Sequence, residues 1–215
     1  MKTEKYIPAL RFDWLTAVYD PVVRLTTREK AFKTALIGQI EVEPGDRVLD
    51  LACGTGTLAI LVKNAHPETT VYGIDGDANI LAIAKRKASK AGVEFKFDQG
   101  LSFELPYSDD SFDFVLSSLF FHHLTRENKL RTIREIRRIL KPDGELHVAD
   151  WGLPENSLMK FASNAIKLLD GAETTADNFD GLLASHIGEC GFREVEETLH
   201  FNTLFGTIRL LKSKK

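Results

Sequence analysis

The chain has 215 residues, 43% hydrophobic and 27% charged, with a formal net charge of −3. That balance supports one sizeable globular core and excludes the global basic field that recruits nucleic acid. Two cysteines, Cys53 and Cys190, form no disulfide framework, no apolar run nears the roughly 20 residues of a membrane span, and residues 1–8 lack an apolar leader core; a cytoplasmic protein is expected.

In chain order, residues 9–40 read as helical in two pieces broken near Asp20-Pro21, with Leu10, Trp14, Ala17 and Val18 on one face of the first and Phe32, Leu36 and Ile40 on one face of the second. Glu43 to Asp46 is a turn. A strand over 47–51, a glycine loop and a helix to about Ala65 follow. Residues 71–75 form a second strand that ends on Asp75. A helix N-capped by Asp77 runs to Ala91, where Gly92 stops it, and 93–97 is a third strand. Residues 98–111 are a loop, and 112–117 is an apolar strand buried on both faces. A helix over about 125–140, N-capped by Thr125, turns Leu130, Ile133, Ile136 and Leu140 inward. Lys141 to Gly144 is a turn, and 145–150 is a fifth strand. Helical stretches near 156–170 and 177–190 flank a polar loop, Asp170 to Asp177. Strands over 192–201 and 203–211 close the chain, leaving Lys212 to Lys215 as a solvated tail.

Five βα repeats require a mostly parallel sheet with helices on both faces, while two final strands joined by about two residues can only pair as an antiparallel hairpin. The organising stretch is V48-L49-D50-L51-A52-C53-G54-T55-G56-T57-L58-A59. Its glycines let backbone close on a ligand, and the helix N-terminus behind them offers free N–H groups. A dinucleotide fits such a loop, and so do the nucleoside and amino-acid parts of S-adenosylmethionine. Asp50 favours the second, because a carboxylate at the strand tip repels a pyrophosphate but orients an amino group; Asp75 suits ribose hydroxyls in either case.

D50-L51-A52-C53-G54-T55-G56, with Asp75 beyond it, resembles the cofactor signature of the class I methyltransferases. The resemblance extends through L105-P106-Y107-S108-D109-D110-S111-F112-D113 and L140-K141-P142-D143-G144-E145-L146, covering roughly residues 40–150. Tyr19-Asp20 and His122-His123-Leu124 are similar to the ubiquinone/menaquinone-type (methyltransferase type 11) group. The resemblance implies an α/β, doubly wound, seven-stranded, mostly parallel sheet of order 3-2-1-4-5-7-6, with the last strand antiparallel. It also implies S-adenosyl-L-methionine as cofactor and S-adenosyl-L-homocysteine as product. Asp50, Gly54 and Gly56 match the loop around the methionine part, Asp75 the acid on the ribose, Gly76 the adenine edge, Ser117 the backbone beside the sulfonium, and Tyr19 a tyrosine closing over the cofactor. Gly100-Leu101 stands where relatives carry Gly-Asp, so adenine recognition falls to backbone near Leu101 and Ser102, or to Asp98.

One domain is expected over 1–215: a helical lid (1–40), a cofactor-binding core (41–151), a helical insert (152–190) and a terminal hairpin (191–215). Methyl transfer from a sulfonium needs alignment and exclusion of water, with a base only where the acceptor must lose a proton. His122 and His123, past the fourth strand, are the candidates, with Asp150 and Trp151 as pocket lining. The expected acceptor is a small molecule, quinone-like or lipid-like, with no nucleic acid, no membrane span and no metal-ligand spacing. The oligomeric state is left open. The rival readings are an NAD-binding oxidoreductase and a non-catalytic module that binds the cofactor.

Overall fold

The computed structural model describes residues 28–157, 159–161 and 172–215. Tyr19, the first helical piece and most of 156–170 lie outside those residues. The described elements are α1 (Glu29–Ile37), β1 (Arg47–Leu51), α2 (Thr57–Ala65), β2 (Thr70–Asp75), α3 (Ala78–Ala91), β3 (Lys96–Gln99), β4 (Phe112–Ser118), a 3₁₀ turn (Phe121–His123), α4 (Arg126–Ile139), β5 (Leu140–Trp151), α5 (Ala172–Phe179), α6 (Leu183–Glu189), β6 (Arg193–Asn202) and β7 (Thr207–Lys214).

The strands make one sheet of order β3-β2-β1-β4-β5-β7-β6, as expected. The first five pair in parallel, while β7 lies antiparallel to both β5 and β6. The antiparallel β7, inserted between β5 and β6, separates this sheet from the six-stranded dinucleotide fold of order 3-2-1-4-5-6. Alternate residues of β1 and β4 feed two cores. Leu49, Leu51 and Val115 join Ile133, Ile136 and Ile187 on one face, and Val48, Phe114 and Leu116 join Phe32, Leu36, Leu58 and Val62 on the other. Burial on both faces is why these strands read as nearly continuous apolar runs.

The capping expectations are met. Asp77 accepts the N–H groups of Asn79 and Ile80, Thr125 accepts that of Asn128, and Gly92 ends α3 in the left-handed region. Several boundaries differ. The last strand begins at Thr207, not 203, so Thr203 to Gly206 form the hairpin loop, and the stretch expected as one helix over 177–190 is divided between α5 and α6. The third strand begins at Lys96, not Val93, because the Val93 N–H closes the α3 cap on the Ala88 carbonyl. Lys141 to Gly144 is not a separate turn. Leu140 already pairs with Phe112, and the extra residues form a bulge with Asp143 at φ 63°. The supposed polar loop is α5 from Ala172 onward, polar because it buries polar groups: Thr175 and Asn178 are fully covered. The supposed tail belongs to β7, and Lys215 Nζ donates to the Leu140 carbonyl at 2.6 Å and to Asp110 at 2.6 Å. On α4, Leu130 is half-buried and the inward position falls instead to Lys129.

The Leu105–Asp113 stretch that carries part of the family resemblance is held by one side chain. Arg138 donates to the Leu105 and Tyr107 carbonyls at 3.1 and 2.7 Å and to Asp109 at 2.9 Å, while Glu135 grips its other side at 2.8–2.9 Å. Arg138→Ala should therefore cost about 1–3 kcal/mol in denaturant unfolding. Arg138→Lys should recover little of it, because an ammonium cannot reproduce the fork.

Candidate active site

A parallel sheet delivers every carboxyl-terminal strand end to one edge, and the neighbours β1 and β4 send their chains to opposite faces there. Asp50, Asp75, Ser117 and Asp150 all arrive at this edge. The chain leaves β1 through a left-handed stretch: Ala52, Gly54 and Gly56 have φ of 55°, 52° and 76°. Leu119, just past β4, has φ 53°. Non-glycine residues rarely take such angles, and here two of them flank the strand-order reversal. A side chain built on Gly54 meets nothing within 4 Å, whereas one on Gly56 meets the Ala84 side chain at 3.1 Å and the Phe95 ring at 3.3 Å. The two glycines thus serve different ends: Gly54 leaves open space, and Gly56 lets α2 sit against α3. Cys53 packs against Gly73, as a small buried residue should.

Two acids organise the loop. Asp50 is 1% exposed, and its Oδ2 accepts the Ala59 N–H at 3.0 Å. Burial pushes its carboxyl up to about 7, against the lowering pull of Lys33 and of that N–H. Asp75 accepts the Gly54 N–H at 2.9 Å through one oxygen and the Asp77 N–H at 3.0 Å through the other, tying the loop to the end of β2. Burial raises its carboxyl too, partly offset by those two donors. Sequence reading missed Lys33, a buried cation on α1 that pairs with Glu29 at 2.7 Å. Its spacing of four residues from Glu29 was the available signal.

The remaining cofactor-side candidates are spread along the same edge. The Gly76 carbonyl accepts Gln99 Nε2 at 3.2 Å. Leu101 bridges Glu104, and Ser102 turns its hydroxyl into the fold against Thr132 at 2.9 Å, so only its backbone remains for the edge. Asp98 accepts the Tyr107 hydroxyl at 2.9 Å. Ser117 is fully buried and donates its hydroxyl to the Leu51 carbonyl at 3.2 Å, locking the tips of β4 and β1 together.

Across β4, His122 and Asp150 meet. His122 is 3% exposed, and its Nδ1 lies 2.6 Å from Asp150 Oδ1. Asp150 also accepts the Trp151 N–H at 2.7 Å and the Phe120 N–H at 3.0 Å. Burial works against its charge, but His122 and these donors outweigh burial and hold its carboxyl below the usual range. An ionised Asp150 accepts from Nδ1–H and so directs the His122 lone pair to Nε2. The His123 ring stacks 4.0 Å from that of His122, and burial together with this neighbour pushes it down to about 3, so it is uncharged at neutral pH. Trp151 is buried with its ring 6.4 Å from the His122 ring.

This sheet order and this edge define a class I, Rossmann-like methyltransferase fold. Residues 48–144 match the family model described as a methyltransferase domain. It is 36% identical over 146 residues to a demethylmenaquinone methyltransferase of Thermus thermophilus, covering 68% of this chain and 63% of that protein. It is 35% identical over 136 residues to the enzyme of the same name from Lactobacillus johnsonii, covering 62% of this chain and 53% of the relative. The matched span is thus little more than half of those relatives. A SAM-dependent methyltransferase structure from Aquifex aeolicus superposes with a TM-score of 0.65 at 18% identity, covering 95% of this chain and 99% of that one.

The contrast between the two glycines is measurable. Gly54→Ala should leave the fold close to wild type, losing only the roughly 1–2 kcal/mol of a left-handed alanine, while placing a methyl group in the open space over the loop. Gly56→Ala carries the same backbone cost and a collision with α3, so it should lower the melting temperature more. Thermal unfolding of both variants checks the order.

Proposed function

We propose that this protein transfers a methyl group from S-adenosyl-L-methionine to a small, quinone-like or lipid-like acceptor, leaving S-adenosyl-L-homocysteine. The observation that carries the reading is a pair of carboxylates, the buried Asp50 and the half-buried Asp75, clasping a left-handed glycine loop where the strand order reverses. The residues fit the cofactor. Asp50 offers a desolvated anion to an ammonium group, Asp75 keeps further lone pairs for ribose hydroxyls, and Gly54 leaves its side-chain space empty. The names of the demethylmenaquinone relatives support a quinone-like acceptor.

When bound, the sulfonium supplies an activated methyl group and its own leaving group. The chain's task is alignment and exclusion of water. His122 takes a proton at Nε2 where the acceptor presents a hydroxyl; a phenolic hydroxyl so deprotonated also makes its neighbouring ring carbon nucleophilic. Asp150 holds the tautomer that this requires, and the neutral His123 adds no positive charge beside a ring that must accept one. Trp151, buried with its ring 6.4 Å from that of His122, walls the base on an apolar side.

Asp50 makes the binding step pH-dependent. Its folded-state pKa lies above the unfolded value, so the folded ligand-free chain holds the extra proton between about pH 4 and 7, and stability falls as pH rises through that window. Only the ionised form attracts an ammonium, so cofactor affinity should rise from pH 6 to 8. Asp50→Asn should flatten that rise, weaken binding roughly ten- to hundredfold for a lost charge-assisted contact, and remove the stability decline. Isothermal titration at three pH values with matched melting curves is the check; an affinity flat with pH in the wild type removes Asp50 from the site.

The function itself is tested with S-adenosylmethionine labelled on the methyl group and whole-cell extract, with products split into organic, aqueous and precipitated fractions. Label in the organic phase is expected. Label in the precipitate would overturn the small-molecule reading. His122→Ala should abolish most of the label while leaving cofactor affinity nearly unchanged. Asp150→Asn should do the same and also lose about 1–3 kcal/mol of stability, because an amide oxygen cannot satisfy every donor that the carboxylate now serves.

A further inference from the structure

Behind the His122–Asp150 pair lies a second buried polar cluster that the reaction outlined above does not use. Lys129 sits on the inward stripe of α4 with Ile133, Ile136 and Leu140, and its side chain is fully buried. Its Nζ donates to the Thr174 carbonyl at 2.6 Å and lies 4.0 Å from Asp177 Oδ2, both on α5. Asp177 Oδ2 is 3.3 Å from His186 Nε2 on α6, and the other nitrogen of that ring faces Glu189 at 3.6 Å. Asn178, the next residue of α5, donates to the Trp151 carbonyl at 3.2 Å, directly beside Asp150. Helix α5 also packs on the 3₁₀ turn that carries His122 and His123.

The charged and titratable groups of the seam are therefore Lys129 from α4, His122 and His123 from the turn, Asp150 from β5, Asp177 from α5, and His186 and Glu189 from α6. An ammonium removed from water costs several kcal/mol unless anions surround it, and replacing such a buried pair by apolar groups is often neutral or stabilising. Burial holds the Lys129 ammonium below its ordinary range, while both Asp177 and Asp150 act to keep it charged, so its field reaches the carboxylate that orients His122. Asp150 thus has the His122 ring at 2.6 Å and is acted on by the Lys129 ammonium, for which Asp177 competes at 4.0 Å.

We propose that Lys129 is a positioning residue for His122: it fastens α5 over the His122–Asp150 pair, and by sharing the charge of Asp150 with Asp177 it sets how readily the His122 ring takes a proton. This rests on the reading of His122 as the base. Two substitutions move that balance in opposite directions. Lys129→Gln keeps a donor for the Thr174 carbonyl but removes the cation, leaving Asp150 to the imidazole and its two backbone donors. Asp177→Asn removes the competing anion, so the lysine leans more heavily on Asp150.

The experiment follows the ring-proton resonances of His122 by NMR across pH in the folded protein, without substrate, beside the pH profile of methyl transfer. The midpoint should move to higher pH in Lys129→Gln and to lower pH in Asp177→Asn, each by roughly half to one pH unit, and the acid limb of turnover should move with it. Unmoved midpoints in both variants, or shifts of the same sign, would overturn the proposal and leave Lys129 a structural tie. Opposite NMR shifts with an unchanged acid limb would uphold the coupling and refute His122 as the base. Should Lys129→Gln not fold, Asp177→Asn alone decides, since its acidic site is partly solvent-accessible and its shift carries the diagnostic sign.

Discussion

Everything at the candidate active site depends on β1 being paired in parallel on both sides. A strand so placed has its backbone N–H and C=O groups committed to β2 and β4 until Leu51, and the pairing closes just beyond it with the Cys53 N–H on the Ile74 carbonyl. The groups released at such an edge need new partners, since a buried orphan costs as much as a lost hydrogen bond. Here the acids at the strand tips supply them. Asp50 takes the Ala59 N–H, Asp75 those of Gly54 and Asp77, and Asp150 those of Phe120 and Trp151. The proposed functional carboxylates are therefore also what satisfies the loop and helix N–H groups that gather at the sheet's edge.

The same three acids show which effect wins when burial opposes donation. Asp50, with a single N–H, is driven up to about 7. Asp75 has two backbone donors and is still raised, so two neutral N–H groups do not compensate for its burial. Asp150 is as buried as Asp50 but is lowered, and what distinguishes it is the imidazole at 2.6 Å. The ring's contribution adds to the backbone donors of Asp150, and together they outweigh burial. One edge thereby holds a fixed anion next to the proposed base and a carboxyl near its balance point next to the proposed cofactor loop.

Much of this was legible in the residues, because the signals were local. Alternation and helical spacing marked the strands and helices, Asp77, Thr125 and Gly92 marked the caps, and the short gap between the last strands implied an antiparallel hairpin, though its loop is Thr203 to Gly206 rather than two residues; the order 3-2-1-4-5-7-6 came with the family resemblance. What stayed hidden was set by distant partners. The polar composition of 170–177 reads as loop, yet Thr174 and Asn178 find their partners on α4 and β5, within a helix that runs from Ala172 to Phe179. Sequence reading passed over Lys129, because nothing near it in sequence reveals Asp177, 48 positions on. The final lysines read as tail because their pairing with β5 is equally remote. Asp150 was recognised as pocket lining, but its bond to His122 joins residues 28 apart and could not be read from spacing.

The position of β4 gives the edge its division of labour. Asp50 and Asp75 lie on the β1–β2 side, and His122 and Asp150 on the β5 side, so the two groups of residues are separated by one strand and face each other over its end. That strand is held rigidly: Ser117 is bonded to the Leu51 carbonyl on one side, and the left-handed Leu119 returns its N–H to the Ala149 carbonyl on the other. An in-line transfer requires donor and acceptor to approach from opposite sides of the moving group, and a fixed strand end between the two groups of residues suits that requirement without any motion of the sheet. In the proposed reaction, Ser117 to Leu119 is then the place over which the methyl group crosses. Its stiffness is the alignment that the chemistry requires of the protein.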